Sequence, residues 1–299
     1  MGGWKKFALA TVLSFGAGSA QAAPAPNPVQ DSVAVGPQYG STHVYVAPDQ
    51  VDKFVGSFVA TFGGRSGKPV TVQVTPTPST TISQIASTPV GLASVFGFTT
   101  PIPYPFGSER TGYLVTDMDV AVAAARRTGA ELVVAPFPDA IGRDAIVRWP
   151  GGVEMQLYWH TSPPSYAPLA TLPENRIYIS PDQADIFVKD FNAFSGGRVT
   201  ADDPAAPGVE IGRPNDRYRR ISLESAFGKI ALFVTDGHLP WPYGHEVTGY
   251  EVVNLTETLA AGKAAGVELL IGPYAVNGRD AAMVRFPGGY IAEIHAPRQ

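Results

Sequence analysis

The sequence predicts an α+β protein of two tandem domains, each made from two copies of one strand–helix–strands unit. Three observations carry this: the chain repeats itself, each copy alternates strand-like with helix-like periodicity, and a proline-rich stretch separates the copies. "HVYVAPDQVDKFVGSFVATFGGR" (43–65) matches "RIYISPDQADIFVKDFNAFSGGR" (176–198). "PIPYPFGSERTGYLVTDMDVAVAAARRTGAELVVAPF" (101–137) matches "HLPWPYGHEVTGYEVVNLTETLAAGKAAGVELLIGPY" (238–274). "GRDAIVRWPGG" (142–152) matches "GRDAAMVRFPGG" (278–289) with one residue inserted. The order of the matches is kept, which is the signature of a duplication. "HTSPPSYAPLATLPE" (160–174) lies between the copies and reads as a linker.

Within each copy the elements follow from their patterns. "HVYV" is β-branched and aromatic and predicts a strand. Val51, Phe54, Val55, Phe58, Val59 and Phe62 then recur at helical spacing, so a helix should begin near Pro48-Asp49 and end at Gly63-Gly64. "KPVTVQV" and "LASVFGF" read as strands. "TGYLVTD" is a strand and "MDVAVAAARRTG" an alanine-rich helix, capped by Asp117 and stopped by Gly129. "AELVVAP", "AIVRW" and "GVEMQLYW" complete the copy. The second copy repeats the scheme with Asn254 as the cap and Gly266 as the stop.

The N-terminus sets the expected compartment. Lys5 and Lys6 precede an apolar run from Phe7 to about Ala17, and small residues end at Ala20-Gln21-Ala22. This is the pattern of a secretory signal peptide over residues 1–22, cleaved after Ala22, and it predicts a periplasmic or secreted protein. Its apolar run is too short to span a bilayer, and nothing later in the chain is apolar for long enough to do so. Residues 23–41 read as a Pro-rich linker, 42–160 as the first domain, 161–174 as the interdomain linker and 175–299 as the second domain. The formal charge of −4 falls to −6 without the two lysines of the leader, which argues against nucleic acid as a partner. The chain has no cysteine, so thiolate catalysis and cysteine-ligated zinc are excluded.

The strand–cap–helix stretches "YLVTDMDVAVAAARRTGAELVVAPF" and "YEVVNLTETLAAGKAAGVELLIGPY" are each followed by "GRDA" and then by "PGGVEMQL" or "PGGYIAEIH". In this the chain resembles the vicinal-oxygen-chelate superfamily of glyoxalases, bleomycin-resistance proteins and extradiol dioxygenases, over residues 42–298. The resemblance implies that each domain pairs two β-α-β-β-β modules into a half-open, eight-stranded barrel flanked by helices. The concave face would hold a small-molecule ligand, and one divalent metal (Fe, Mn, Ni or Zn) would be bound by imidazole and carboxylate. At the family's ligand positions the first domain has His43, Gly97, Arg110 and Gln156, and the second Arg176, Val234, Val247 and Glu293. Neither is a complete set.

Residues two apart on a strand share a face. His238, His245 and His295 therefore join Glu293 as candidates for the second barrel, with His238, His245 and Glu293 as metal ligands. Glu293, His245 and Glu246 are the candidate catalytic groups. Arg176, Tyr178, His43, Tyr45 and Trp241 are candidates for substrate binding, with Trp241 in an aromatic lip "PWPYG". The simpler readings are a buried, hydrogen-bonded His43 and a salt bridge across the barrel between Glu293 and Arg176. Because the titratable groups concentrate in the second copy, it is the one expected to carry chemistry. Two functions follow. One is an exported lyase, isomerase or dioxygenase acting on a small oxygenated molecule, aromatic ones included. The other is a metal-free binding or sequestering protein of the same fold, as monomer or homodimer.

Overall fold

The computed structural model describes Met1, residues 32–162 and residues 164–298. The expected signal peptide and residues 23–31 of the expected linker lie outside the described residues.

The first half runs β1 (Ser41–Tyr45), α1 (Val51–Phe62), β2 (Arg65–Ser66), β3 (Val70–Val72), β4 (Thr81–Thr88) and β5 (Gly91–Phe98). It continues with β6 (Arg110–Leu114), α2 (Met118–Arg127), β7 (Glu131–Pro138), β8 (Gly142–Trp149) and β9 (Val153–His160). The second half runs β10 (Glu174–Ile179), α3 (Pro181–Ser195), β11 (Arg198–Pro207), β12 (Arg217–Ser225) and β13 (Gly228–Val234). It ends with β14 (Val247–Glu251), α4 (Leu255–Ala264), β15 (Glu268–Val276), β16 (Arg279–Arg285) and β17 (Ile291–Pro297).

Each half forms its own sheet. The first is ordered β2-β4-β5-β1-β6-β9-β8-β7, with β3 also on β4, and the second β11-β12-β13-β10-β14-β17-β16-β15. The two modules of each half meet where β1 lies antiparallel to β6, and β10 to β14. Neither strand order closes on itself, so each is a half-open barrel.

The local signals act as their chemistry dictates. Asp117 accepts a hydrogen bond from the Val120 amide at 2.9 Å, and Asn254 one from Glu257 at 3.1 Å. The duplicated Pro-Gly-Gly turns hold both glycines at positive φ, 83° and 80° in the first copy and 88° and 99° in the second. Only glycine adopts that backbone without strain, which explains why the turn is written the same way twice. Residues 33–41, expected as the end of a linker, are instead packed. The Val35 amide donates to Leu114, the Thr116 amide donates to Val33, and Val33 and Ala34 are buried.

The cores are shared between the halves. Phe54 and Phe58 of α1 pack with Tyr250, Phe286 and Tyr290 of the second half. Trp149 and Met155 of the first half pack with Phe187, Phe191 and Phe194 of α3. The convex faces and helices thus build one interior, leaving both concave faces free for side chains of other kinds. No helix among the described residues is long and apolar enough to cross a membrane.

Candidate functional site

In the first barrel, strand register assembles the concave face. β1 places His43 beside Ser94 of β5 and opposite Arg110 of β6. Gly112 of β6 lies beside Gln156 of β9, and β8 sets Ile146 opposite Gln156 and Asp144 opposite Tyr158. These residues share one face because strand side chains alternate. His43, Tyr45, Asp144, Gln156 and Tyr158 line a cavity of about 330 Å³. Its walls include Val72, Ile85, Leu92, Phe96 and Phe106, and exposed Lys68, Val70 and Ile141 mark its mouth.

A hydrogen-bond chain runs along its floor. Gln156 Nε2 donates to Asp144 Oδ2 at 3.0 Å, which leaves Gln156 Oε1 to accept from His43 Nδ1 at 3.1 Å. The imidazole proton therefore sits on Nδ1 and the lone pair on Nε2. Burial, reinforced by Arg110, pushes His43 down to about 3. Burial and the charge of Asp139 push Asp144 well above the usual carboxylate range, against the pull of Gln156. Burial thus disfavours charge at both ends of the chain. Gly112 makes room for it, since a Cβ there would stand 2.6 Å from His43 Nε2. Tyr45 stacks with Phe96 and Phe98, ring centres 5.5 and 6.2 Å apart, and burial raises its hydroxyl to about 12.

The second barrel is filled differently. Arg176 takes the place of His43 and Glu293 that of Gln156. Arg176 is 1% exposed, lies 2.6 Å from Glu293 and 2.8 Å from Glu210, and rests on the Phe233 ring at 4.7 Å. Arg279 also bonds Glu210 at 2.8 Å, Arg220 bonds Glu174 at 3.1 Å, and Tyr218 and Asn277 donate to Glu210. Glu293 bonds His295 Nδ1 at 2.7 Å. Burial alone would raise these carboxyls. The guanidinium groups overcome it, holding Glu293 and Glu210 below the ordinary range and Glu174 at about 2.

The expectation that the second copy holds the open site is therefore corrected: the large apolar cavity is in the first, and its lining includes His43 and Tyr45. Arg176 faces protein carboxylates, fulfilling the salt-bridge reading of Glu293. His238 sits in a loop with its side chain 87% exposed beside Asp236, and His245 is exposed before β14 begins, so neither is brought to Glu293. Glu246 lies at the seam between the halves, where burial lifts it to about 7; its repeat partner Glu109 is lifted to about 8 by burial and by Glu246. Tyr178 packs on Phe233 at 5.1 Å. Trp241 is 64% exposed, with the Arg285 guanidinium 6.0 Å from its ring.

Sequence reading missed Asp144, Glu210 and Arg279. The inserted residue in the second "GRDA" copy was the signal for two of them. In the structure Ala281 opposes His295, as Asp144 opposes Tyr158, so the insertion turns Asp280 outward and Arg279 inward.

The residues do not fit a divalent metal. The first barrel offers one imidazole, a guanidinium and an amide at His43, Arg110 and Gln156, and the carboxyl beside them, Asp144, is bonded to the Gln156 amide; a guanidinium does not coordinate cations. In the second, both oxygens of Glu293 are engaged by Arg176 and His295. Among the described residues no three His, Asp or Glu side chains converge as a ligand set.

No protein-family model matches the sequence, and no curated protein matches it. Solved structures do match in shape. A triple mutant of 4-hydroxymandelate synthase from Streptomyces coelicolor aligns over 89% of this chain and 93% of its own, at 15% identity and a TM-score of 0.57. The 2,3-dioxygenase LapB from Pseudomonas sp. KL28 covers 90% and 94%, at 13% identity and 0.51. The Mn(II)-bound glyoxalase from Novosphingobium aromaticivorans covers 90% and 84%, at 15% identity and 0.50. Likeness at such identity establishes architecture alone: the chain has the vicinal-oxygen-chelate fold, in two tandem half-barrels.

Proposed function

We propose that the protein is an exported, metal-independent binder of a small aromatic or oxygenated molecule, which it holds in the first half-barrel. The observation that carries this reading is the cavity itself. Its volume of about 330 Å³ suits a one-ring ligand. Its walls are apolar and aromatic, while His43 Nε2, Ser94 and Tyr158 gather at the polar floor. A ligand hydroxyl would donate to the His43 lone pair, and its ring would lie against Tyr45 and Phe96. Export rests on the pattern of residues 1–22, and N-terminal sequencing of protein recovered outside the cytoplasm should begin at Ala23.

An acid–base enzyme is the second reading, favoured by the Asp144–Gln156–His43 chain. A histidine held at about 3 is a poor base near pH 7, because efficient proton transfer wants a value near the working pH. The same lowering makes it a dependable hydrogen-bond acceptor.

The test is fluorescence titration with small phenols and aromatic ketones, before and after treatment with a chelator. Saturable binding that survives chelation and weakens at least about tenfold in Tyr45→Ala is expected. Binding lost on chelation and restored by a divalent cation would sink the reading.

A further inference from the structure

Of the six asparagines in the sequence, Asn277 alone is followed by glycine. The pair forms the two-residue turn between β15 and β16, where Val276 opposes Arg279. Asn277 has φ 49° and Gly278 φ 73°, the positive values that a tight hairpin turn of this kind requires. Both residues are exposed, and a Cβ on Gly278 would meet nothing within 4 Å. Among the described residues the Gly278 amide has no protein acceptor.

The side chain of Asn277 reaches a buried group. Its Nδ2 donates to Glu210 Oε2 at 3.0 Å, and Glu210 is 1% exposed. Glu210 also accepts from Tyr218 and pairs with Arg176 and Arg279, both at 2.8 Å. One amide thus ties an exposed turn to the ion cluster. An amide suits that place because it is neutral and can donate to a carboxylate. A second carboxylate there would have no proton to give and would repel Glu210. The first half has no such pair: its β7–β8 turn, residues 139–141, contains no asparagine.

We propose that Asn277 is a site of spontaneous deamidation, and that its conversion loosens the second half-barrel from the turn inward. The Gly278 backbone nitrogen attacks Asn277 Cγ. The new N–Cγ bond forms as the Cγ–Nδ2 bond breaks, and Nδ2 leaves as ammonia with the proton of the Gly278 amide. Water then opens the five-membered imide. Addition at the side-chain carbonyl gives aspartate and addition at the main-chain carbonyl gives isoaspartate, so a carboxylate replaces the amide by either route. Glycine permits the attack because it has no side chain to crowd the nitrogen. The bond to Glu210 holds the leaving nitrogen, so the native turn reacts more slowly than a free peptide of the same sequence. The site is independent of the first-barrel cavity and of the binding proposed there.

The experiment is incubation of the full-length mature protein in mildly alkaline buffer, followed by peptide mass mapping. A synthetic peptide of residues 275–281 is the reference. The mass gain of NH2 replaced by OH is expected at Asn277, divided between aspartyl and isoaspartyl forms, about tenfold more slowly than in the peptide. Conversion first at another asparagine, or an unaltered Asn277 once the peptide has fully converted, would overturn the site. A rate equal to that of the peptide would overturn the hold by Glu210. The consequence is read from two variants whose folding circular dichroism confirms. Asn277→Gly and Asn277→Asp both lose the amide and keep a residue that tolerates positive φ. Asn277→Asp should melt lower at neutral pH, with the gap closing as pH falls through the carboxylate range. Equal melting temperatures at neutral pH would overturn the loosening.

Discussion

The two half-barrels share a strand order and a set of turns, yet one encloses a cavity and the other a cluster of ions. The difference is made by a few inward positions. His43 and Gln156 in the first are Arg176 and Glu293 in the second. Gly142 stands where Arg279 stands, and Asp144 where Ala281 stands. Long guanidinium side chains fill the middle of the second concave face, and Glu210, Glu174 and Glu293 neutralise them. The shorter groups of the first leave room for a guest. A half-barrel of this kind is thus a frame whose inner side chains decide whether it binds a ligand or becomes part of the support.

Removing the central cation should break the comparison most severely. Arg176→Met leaves Glu293 and Glu210 with fewer partners in a dry interior, and a buried pair broken from one side costs roughly 3–5 kcal/mol. Urea denaturation should show that loss, while ligand binding in the first barrel persists as long as the protein is folded.

The paired glycines sharpen the contrast. A Cβ at Gly249 would stand 2.8 Å from Glu293 Oε2 and 3.1 Å from Arg176 Cδ, two groups locked by ion pairs. Gly249→Ala should therefore cost about 1–3 kcal/mol in stability. At Gly112 the three atoms nearest a Cβ all belong to the His43 ring, which borders the cavity. The main effect of Gly112→Ala should be weaker ligand binding in the same fluorescence titration, with a smaller change in melting temperature.

Gln156→Glu gives the first barrel the residue of the second without the arginine that makes it tolerable. It removes the donor to Asp144 and sets two carboxyls side by side, at a cost of about 1–3 kcal/mol. Thermal melts should show a smaller loss at pH 5 than at pH 8, because a shared proton relieves the repulsion.

The gentlest test is pH. Glu174, Glu210 and Glu293 are held below the ordinary 4.5, so their stabilisation is complete above that pH and lost as pH falls, toward about 2 for Glu174. Glu109 and Glu246 at the seam run the other way. Raised to about 8 and about 7, they favour the native state below pH 4.5 and cost stability as pH rises through that interval. A stability maximum on the acid side of neutrality is expected, and Glu246→Gln should flatten the alkaline limb of the curve.

The fold was legible because its signals are local and stated twice: the caps Asp117 and Asn254, the Pro-Gly-Gly turns, and the apolar face of α1. The location of the site was harder to read. Counting titratable residues pointed to the second copy, but whether a carboxylate is free or paired depends on Glu210 and Arg220, which lie in a stretch where the copies do not align. His238 and His245 were assigned to a face by spacing, and both fall in loops, where alternation has no meaning. The inserted residue before Arg279 did carry the answer. A slip of one along a strand exchanges inside for outside, and the same three letters, Gly-Arg-Asp, give an inward acid in one copy and an inward cation in the other.

The interleaved interior has a thermodynamic consequence. Because α1 is buried against strands of the second half and α3 against strands of the first, neither half can lose its structure without stripping the other's core. The chain should melt in a single cooperative transition, and any guest in the first half-barrel should protect amides of the second from hydrogen exchange by the same free energy. The ion-filled half, which holds no large guest, would then be the counterweight through which occupancy at one end is felt across the whole molecule.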